Sequence, residues 1–478
     1  MTSAGHSHVE LRRGAYADSV TLLQVSRTVQ GVDGVAAAQV AMATALNVEV
    51  LTGMGFAVPV EATTNDMVVA IRLADGGSLE AALAGVERAL ADSSRRDAGP
   101  TEEAPPRTTG SAFRRTPEGV ALVSVPGVNA FVEAMDAVEA GRDVMVFSDN
   151  VPLEQEVRLK QAAAERGLLV MGPDCGTAVM GGLGLGFANV VRPGPVGIVA
   201  ASGTGCQQVL ALLDHAEVGV THALGVGGRD LSSEVGGLAT REALRRLDVD
   251  ASVELIVLVS KPPAPEVEAG IRDFAAGLST PVELALLGAG HPDLTEATEA
   301  VLARLGRTVP QWPVTGSAAP PDGGRWLRGL FVGGTMATEA KIIATALLGS
   351  EGHTFVDFGD DQYTTGRAHP MIDPTLRLEH LARAADDPQT AVLLLDVVLG
   401  HGAEADPAAL LAPAIAGVRR PVVVAVVGTA ADPQGLDRQV RTLADAGAEV
   451  HLSNACATGR AGVRQVHLGA AELLGAAR

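Results

Sequence analysis

The chain has 478 residues, a net charge of −20, 47% hydrophobic residues and only 3% aromatics. That length points to about three or four domains. The acidic surplus and scarcity of rings exclude a nucleic-acid surface, which needs clustered Lys and Arg and platforms for base stacking. The 56 glycines and 26 prolines punctuate apolar segments instead of forming tracts, the pattern of an α/β enzyme with many tight turns. Cys175, Cys206 and Cys456 are few, odd in number and far apart, which fits a reducing compartment and no metal knuckle. The first residues lack an apolar leader core, and runs such as Val422 to Val427 are too short for a membrane span. A cytoplasmic protein with no membrane or nucleic-acid partner is expected.

Residues 1–95 alternate helical patterns (Val20–Val29, Leu79–Leu90) with strands (Ala36–Val40, Met67–Ile71), predicting a small α+β, ferredoxin-like domain. Residues 96–117, rich in Arg, Glu, Pro and Thr, read as a linker. Over 118–192 the strand at Val120–Val125 leads to Pro126-Gly127, a helix, the strand Val144–Phe147, a helix and the strand Leu168–Met171. This order predicts a parallel, Rossmann-like sheet. Residues 193–307 repeat the plan in flavodoxin-like form, 308–325 read as a second linker, and 326–478 form a third α/β unit. The second and third units share one plan, an internal pseudo-repeat. The fold class is therefore multidomain α/β.

Candidate chemistry sits at strand ends, where open α/β sheets collect ligands. Ser202, Gly203, Thr204 and Gly205 lie between a buried strand and a helix, where outward N–H groups and the helix dipole favour phosphate. The competing reading is a tight turn that merely needs glycine. Gly400, His401 and Gly402 end a strand of the third unit and would face the first turn, forming a clamp for a dianion. His401 then adds charge or a proton, unless it is an idle surface histidine. Asp360 and Asp361, followed by Arg367 and His369, make the densest polar cluster. Paired carboxylates beside Arg and His suit acid–base work or a metal, and equally an Asp–Arg-stabilised loop. The spacing matches no standard metal loop, so no metal is assigned. Arg229 and Asp230 follow another strand, and Arg229 is shaped to fork onto a carboxylate or phosphate. Lys261, one of only three lysines with Lys160 and Lys341, ends a strand and is read as an anion ligand. Asp174 joins this polar set beside Cys175, a buried structural thiol with no base beside it. No P-loop, nucleophile elbow or full dinucleotide fingerprint is present.

The stretches Phe147-Ser148-Asp149-Asn150-Val151, Val170 to Thr177, Ala201 to Gly205, Gly227 to Ser232, Val259 to Pro263 and Gly366 to Thr375 resemble the FdrA family, a branch of the succinyl-CoA synthetase superfamily. The resemblance runs from about residue 9 to 450. It implies a CoA-binding-type domain over 118–192 and a ligase domain of the synthetase's α type over 193–307. Over 326–478 it implies a domain of the type that ends the synthetase's β chain. It also implies that the helix ends flanking the synthetase's phosphate correspond to Ser202–Thr204 and Gly400–Gly402. The synthetase's Gly-His-Ala-Gly phosphohistidine loop is missing, Gly290-His291-Pro292 standing roughly there in another context. An ATP-grasp domain is not visible, and the first Rossmann turn lacks the glycines of the CoA loop.

The family is also linked to an oxamate carbamoyltransferase of purine (allantoin) breakdown that works with separate subunits. The resemblance therefore implies phosphate-dependent cleavage of oxalurate to oxamate and carbamoyl phosphate, with no cofactor required. Phosphate would be held by the two glycine turns. Arg229, Lys261 or Arg367 would hold the substrate carboxylate or oxyanion, and His369 or His401 would move a proton. The alternatives are an NDP-forming acyl-CoA synthetase using CoA and ATP/ADP with a nucleotide-binding partner, or a non-catalytic anion-binding scaffold. Expected partners are small anionic substrates, phosphate, separate subunits of a hetero-complex and, in a homo-oligomer, further copies of the chain.

Overall fold

The computed structural model describes residues 7–96, 106–319 and 323–462. It divides into two compact units, one built from the N-terminal residues to Pro105 with Asp360–Asp373, the other from Pro106–Gly359 with the residues from Pro374 onward.

The first unit contains β1 (Ser7–Arg12), α1 (Ser19–Gln30), β2 (Val35–Met42), α2 (Ala45–Gly53), β3 (Met67–Leu73) and α3 (Leu79–Arg96). The strands form an antiparallel sheet in the order β1-β3-β2. Asp18 starts α1 by accepting the N–H groups of Val20 and Thr21. Leu22, Val25 and Val29 then recur at helical spacing and pack with Ala82 and Val86 of α3 on Val69 and Ile71. The alternate residues Val68 and Ala70 face the other way, onto Leu51 and Phe56. Covered on both faces, β3 reads as an apolar run from Met67 to Ile71, interrupted only by Arg72.

The second unit begins with α4 (Thr109–Arg115), β4 (Ala121–Val123), α5 (Gly127–Glu139), β5 (Val144–Val146), α6 (Leu153–Ala164) and β6 (Val170–Met171). Its three strands run parallel in the order β4-β5-β6. A Cβ at Gly127 would lie 2.1 Å from the carbonyl oxygen of Asp149, so only glycine lets the first strand-end turn lie against the second.

The hairpin of β7 (Thr177–Met180) and β8 (Leu183–Gly186) leaves this span and extends the following sheet. That sheet is built from β9 (Val196–Ala201), α7 (Gly203–His215), β10 (Val220–Gly225), α8 (Leu238–Asp248), β11 (Leu255–Ser260), α9 (Pro265–Ala276), β12 (Val282–Leu286) and α10 (Leu294–Arg304), in the strand order β12-β11-β9-β10-β7-β8. Within it, β9 to β12 run parallel.

The last sheet takes β13 (Val314–Thr315) from the expected linker. It continues with β14 (Trp326–Phe331), α11 (Gly334–Leu348), β15 (Thr354–Asp357), α12 (Asp361–Thr364), α13 (Thr375–Asp386), β16 (Thr390–Val398), α14 (Pro407–Ala416), β17 (Val422–Val427), α15 (Leu436–Asp445) and β18 (Glu449–His451). Its order is β13-β18-β17-β16-β14-β15, with β13 alone antiparallel. A helix over 454–462 follows. The segment containing α12 belongs to the first unit. Both large sheets are doubly wound, and their chain direction reverses beside β9 and beside β14. Such switch points are where ligands bind in open α/β sheets. Among the described residues no helix is long and apolar enough to cross a membrane.

Candidate anion site between two helix starts

The helices that leave the two switch-point strands meet at their N-termini. Ser202, the N-cap of α7, accepts the N–H of Gly205 at 2.9 Å, and its hydroxyl lies 2.5 Å from that of Thr335 in the first turn of α11. Two glycines make the approach possible. A Cβ at Gly205 would sit 2.9 Å from the Thr335 methyl, and one at Gly333 would sit 2.6 Å from the Thr204 hydroxyl. The turn before α11 is fixed from beneath by Asp396 of β16, which accepts the N–H groups of Val332 (2.8 Å) and Gly333 (3.1 Å). Asp396 is fully buried, and burial pushes its carboxyl above the ordinary value although Arg377 lies 3.3 Å away.

An α-helix leaves its first N–H groups without helical acceptors. Here those of Gly203 and Thr204 on α7, and of Gly334, Thr335 and Met336 on α11, have no acceptor among the described residues. Two positive dipole ends therefore converge. Gly334 is also where two strand ends bring opposite charges. A Cβ there would lie 2.9 Å from the Lys261 ammonium and 2.2 Å from a carboxylate oxygen of Asp357, at the end of β15. Among the described residues Lys261 Nζ forms no ion pair. The site offers converging N–H donors and a lysine, the equipment for holding a phosphoryl or acyl-phosphate group and offsetting charge that develops on it.

The structure places the expected residues unevenly. Ser202, Gly203, Thr204, Gly205 and Lys261 come together here. Gly400, His401 and Gly402 instead latch onto the segment after β8. Gly400 donates its N–H to Gln434 (3.1 Å), His401 donates its N–H to the Ala188 carbonyl (2.8 Å), and Gly402 abuts Phe187. These two N–H groups are committed to the protein, and the His401 side chain is exposed. Across from α7 stands α11, so the expected second jaw is replaced by Gly333, Gly334 and Thr335.

Arg229 and Asp230 serve a buried charge network. Arg229 donates to Glu156 (2.8 Å) and to the Val151 carbonyl, while Glu156 also takes Lys160 at 2.9 Å. Asp230 accepts from Lys160 (2.8 Å) and from the N–H groups of Ala239 and Thr240, which caps the start of α8. This network joins α6 to α8 and is packing machinery, with Lys160 only 1% exposed. Asp174 is exposed in the left-handed region (φ 56°) and donates its N–H to the Ser148 carbonyl. Burial pushes the Cys175 thiol up to about 12, so it stays protonated.

Asp360, Asp361, Arg367 and His369 belong to the first unit. Asp360 caps α12, and Arg367 lies 3.7 Å from Asp373. His369 accepts the Met371 N–H, and burial lowers it to about 4, which keeps the ring neutral. Among the described residues no group of three or more His, Cys, Asp or Glu side chains is gathered to hold a metal. A shallow groove of about 460 Å³ beside Arg272, Thr280 and Leu284 opens at the start of β12, the opposite end of the sheet from α7. It has no part in this chemistry.

Sequence reasoning passed over Gly333, Gly334, Thr335 and Asp357. The available signal was a strand, Trp326–Phe331, followed by small residues, a hydroxyl and a helix, as in the Ser202 turn.

A model described as CoA-ligase matches residues 330–464, and one described as AllF, heavy metal-associated domain, matches residues 1–106. The uncharacterized protein YahF of Escherichia coli (strain K12) is 36% identical over 490 residues, covering 92% of this chain and 95% of its own. The mitochondrial succinate–CoA ligase (ADP-forming) subunit alpha-2 of Trichomonas vaginalis is 28% identical over 31% of this chain and 48% of its own. The ADP-forming sulfoacetate-CoA ligase subunit SauD of Bilophila wadsworthia is 26% identical over 30% of this chain and 50% of its own. The chain thus spans about half the length of these ligase subunits. Among solved structures, ATP citrate lyase from Methanothrix soehngenii with citrate and coenzyme A aligns with TM-score 0.34 and 19% identity, over 43% of this chain and 38% of its own. The chain belongs to the family of YahF, a succinyl-CoA-synthetase-α-like family that joins a CoA-ligase domain to an AllF-type N-terminal domain.

Proposed function

We propose that this chain carries out acid–CoA ligase chemistry of the NDP-forming kind, with a separate chain supplying the nucleotide site. The supporting observation is the convergence of the α7 and α11 starts, with five N–H groups that have no acceptor among the described residues and Lys261 beside them. A phosphoryl or acyl-phosphate anion held there would meet donors already fixed in place by Ser202, Thr335 and Asp396, so little reorganisation accompanies the reaction. CoA, when bound, supplies the thiol that takes the acyl group. The start of α5 suits its pyrophosphate and apolar arm: no side chain caps it, and Val125, Val128 and Val132 stand exposed around it. Only one glycine serves that turn, and the contact with Asp149 accounts for it.

A second reading, phosphate-dependent carbamoyl transfer from oxalurate, rests on the absence of a Gly-His-Ala-Gly stretch from the sequence, His291 standing roughly there in another context. His291 turns Nδ1 to the Leu286 carbonyl (3.0 Å) and Nε2 toward Glu268 (3.8 Å). Phosphate would then act as a reactant. One experiment separates the two. The chain, alone and with candidate partner subunits, is given an organic acid, CoA and ATP in one set and oxalurate with phosphate in another. CoA-dependent nucleotide turnover that falls about a hundredfold in Lys261→Ala supports the ligase. Carbamoyl phosphate without CoA dependence replaces it with the second reading. Activity of either kind that is indifferent to Lys261→Ala and Ser202→Ala refutes the site.

A further inference from the structure

The N-terminal domain matches a heavy-metal-associated model, and soft-metal carriage depends on thiolate or imidazole ligands gathered at one place. Residues 1–106 contain no cysteine, and His6 and His8 are their only histidines. His8 faces Glu10 at 3.6 Å with Arg12 on the same carboxylate, so its neighbourhood is already an ion-paired cluster. The connection from β1 to α1 is closed without ligands. Asp66 accepts the N–H groups of Gly14 (3.0 Å) and Thr63 (2.9 Å) and the Thr63 hydroxyl (2.8 Å), and these hydrogen bonds hold its carboxyl below the ordinary range. The donor set does not fit a metal carrier.

What this domain does grip is a distant stretch of its own chain. Asn47, in the first turn of α2, donates one amide hydrogen to the Met42 carbonyl (2.9 Å) and the other to the Gly366 carbonyl (2.7 Å). Gly366 sits at φ +75° so close to Thr44, the N-cap of α2, that a Cβ would come within 2.3 Å of the threonine methyl. At the far end of the segment, Arg27 of α1 donates to the Ile372 carbonyl (3.3 Å). Between the two grips the segment folds on itself, Met371 donating its N–H to the neutral His369 ring and Ile372 donating to the His369 carbonyl. Contacts at its middle and its far end, a glycine required by close approach and a buried asparagine shared between the domain and the segment are the marks of a built docking surface.

We propose that the N-terminal domain of this chain is a docking module for Asp360–Asp373 and not a metal carrier. The segment starts three residues after Asp357, whose carboxylate abuts the start of α11, and it carries Asp360, Asp361, Arg367 and His369. The domain thereby sets the conformation of a polar loop that leaves a strand end of the ligase-type sheet. This proposal stands whether or not the anion site has the function proposed above.

The test uses the full chain. Hydrogen exchange followed by mass spectrometry is compared for the wild type, Asn47→Ala, Arg27→Ala and Gly366→Ala. In parallel, metal content is measured after incubation with Zn²⁺ or Cu⁺ under reducing conditions and desalting. Loss of one such hydrogen bond is expected to speed exchange over 366–373 about fivefold, and Gly366→Ala about tenfold or more, with exchange in β2 and β3 unchanged. Gly366→Ala lies in the segment and leaves the N-terminal domain's own residues intact, so it reports on docking even if Asn47→Ala disturbs α2. Metal retained well below one equivalent completes the expected result. Unchanged exchange over 366–373 in Gly366→Ala and Arg27→Ala overturns the docking role, and one equivalent of metal lost in His8→Ala overturns the rest.

Discussion

Thr335→Val is the sharpest probe of the paired helix starts. Valine keeps the volume and the methyl that packs on Gly205, and removes only the hydroxyl that meets Ser202 at 2.5 Å. Thr335 is 1% exposed and Ser202 5%, so water does not replace the lost partner. Ser202 still accepts the Gly205 N–H, and the cost is that of one buried hydrogen bond, about 1 kcal/mol. Ser202→Ala removes the N-cap as well and strands the Thr335 hydroxyl, for about 2 kcal/mol. In the double variant the Gly205 N–H still lacks its acceptor, but the hydroxyl pair is lost only once, so its cost should equal that of Ser202→Ala alone, a coupling of about 1 kcal/mol. Urea unfolding of the four proteins measures this cycle, and phosphate titration calorimetry measures its consequence. With the two N–H arrays no longer tied, phosphate affinity in Thr335→Val should fall about fivefold, the equivalent of that same energy. Strictly additive stability losses, or phosphate affinity unchanged in Thr335→Val, would show that the two helix starts do not act as one site.

Burial lifts Glu339 on α11 from 4.5 to about 7. Between those values the folded chain keeps a proton that the unfolded chain has released, so stability should fall as pH rises through the window, by about 3 kcal/mol in all, and level off above it. Urea midpoints measured from pH 5 to 8 should show this slope in the wild type and lose it in Glu339→Gln; a slope that persists refutes the assignment. Lys160→Met leaves Glu156 and Asp230 buried with one cation fewer, which should cost about 3–5 kcal/mol and lower the thermal midpoint sharply; a midpoint within two or so degrees of wild type would mean the network is solvated. His401→Ala should leave phosphate affinity within about twofold of wild type, since the exposed ring adds little, and a loss of tenfold would return the Gly400 turn to the clamp.

Much of the architecture was legible because buried parallel strands write themselves as apolar runs, and each run here ends in small residues. Val196–Ala201 and Val422–Val427 are fully buried along their length and could hardly be anything else. Elements held by tertiary context were harder. In β1 the residues Val9 and Leu11 alternate with His8, Glu10 and Arg12, whose ion pairs disguise a strand, and α2 has apolar residues all round because it fills the second face of β3. The structural role of Arg229 and of the buried Asp230 was equally hidden, since nothing local reveals that Glu156 and Lys160 lie on α6 to receive them.

The second jaw shows most clearly where one-dimensional reading stops. A strand followed by glycines occurs after both β14 and β16, and the Gly400 turn, with its histidine, is chemically the more eloquent of the two. Strand order decides between them. In the first large sheet β9 lies between β11 and β10, and in the second β14 lies between β16 and β15. The strand equivalent to β9 is therefore β14, while β16 is the equivalent of β11. On that correspondence the Gly400 turn is the counterpart of the turn that carries Lys261. In the one sheet this position sends a lysine toward the helix start; in the other, the last residues of β16 send Asp396 beneath it to hold the Val332 and Gly333 N–H groups. Equivalent strand ends thus serve one site in different ways, one facing the anion and the other fixing the donors that would meet it.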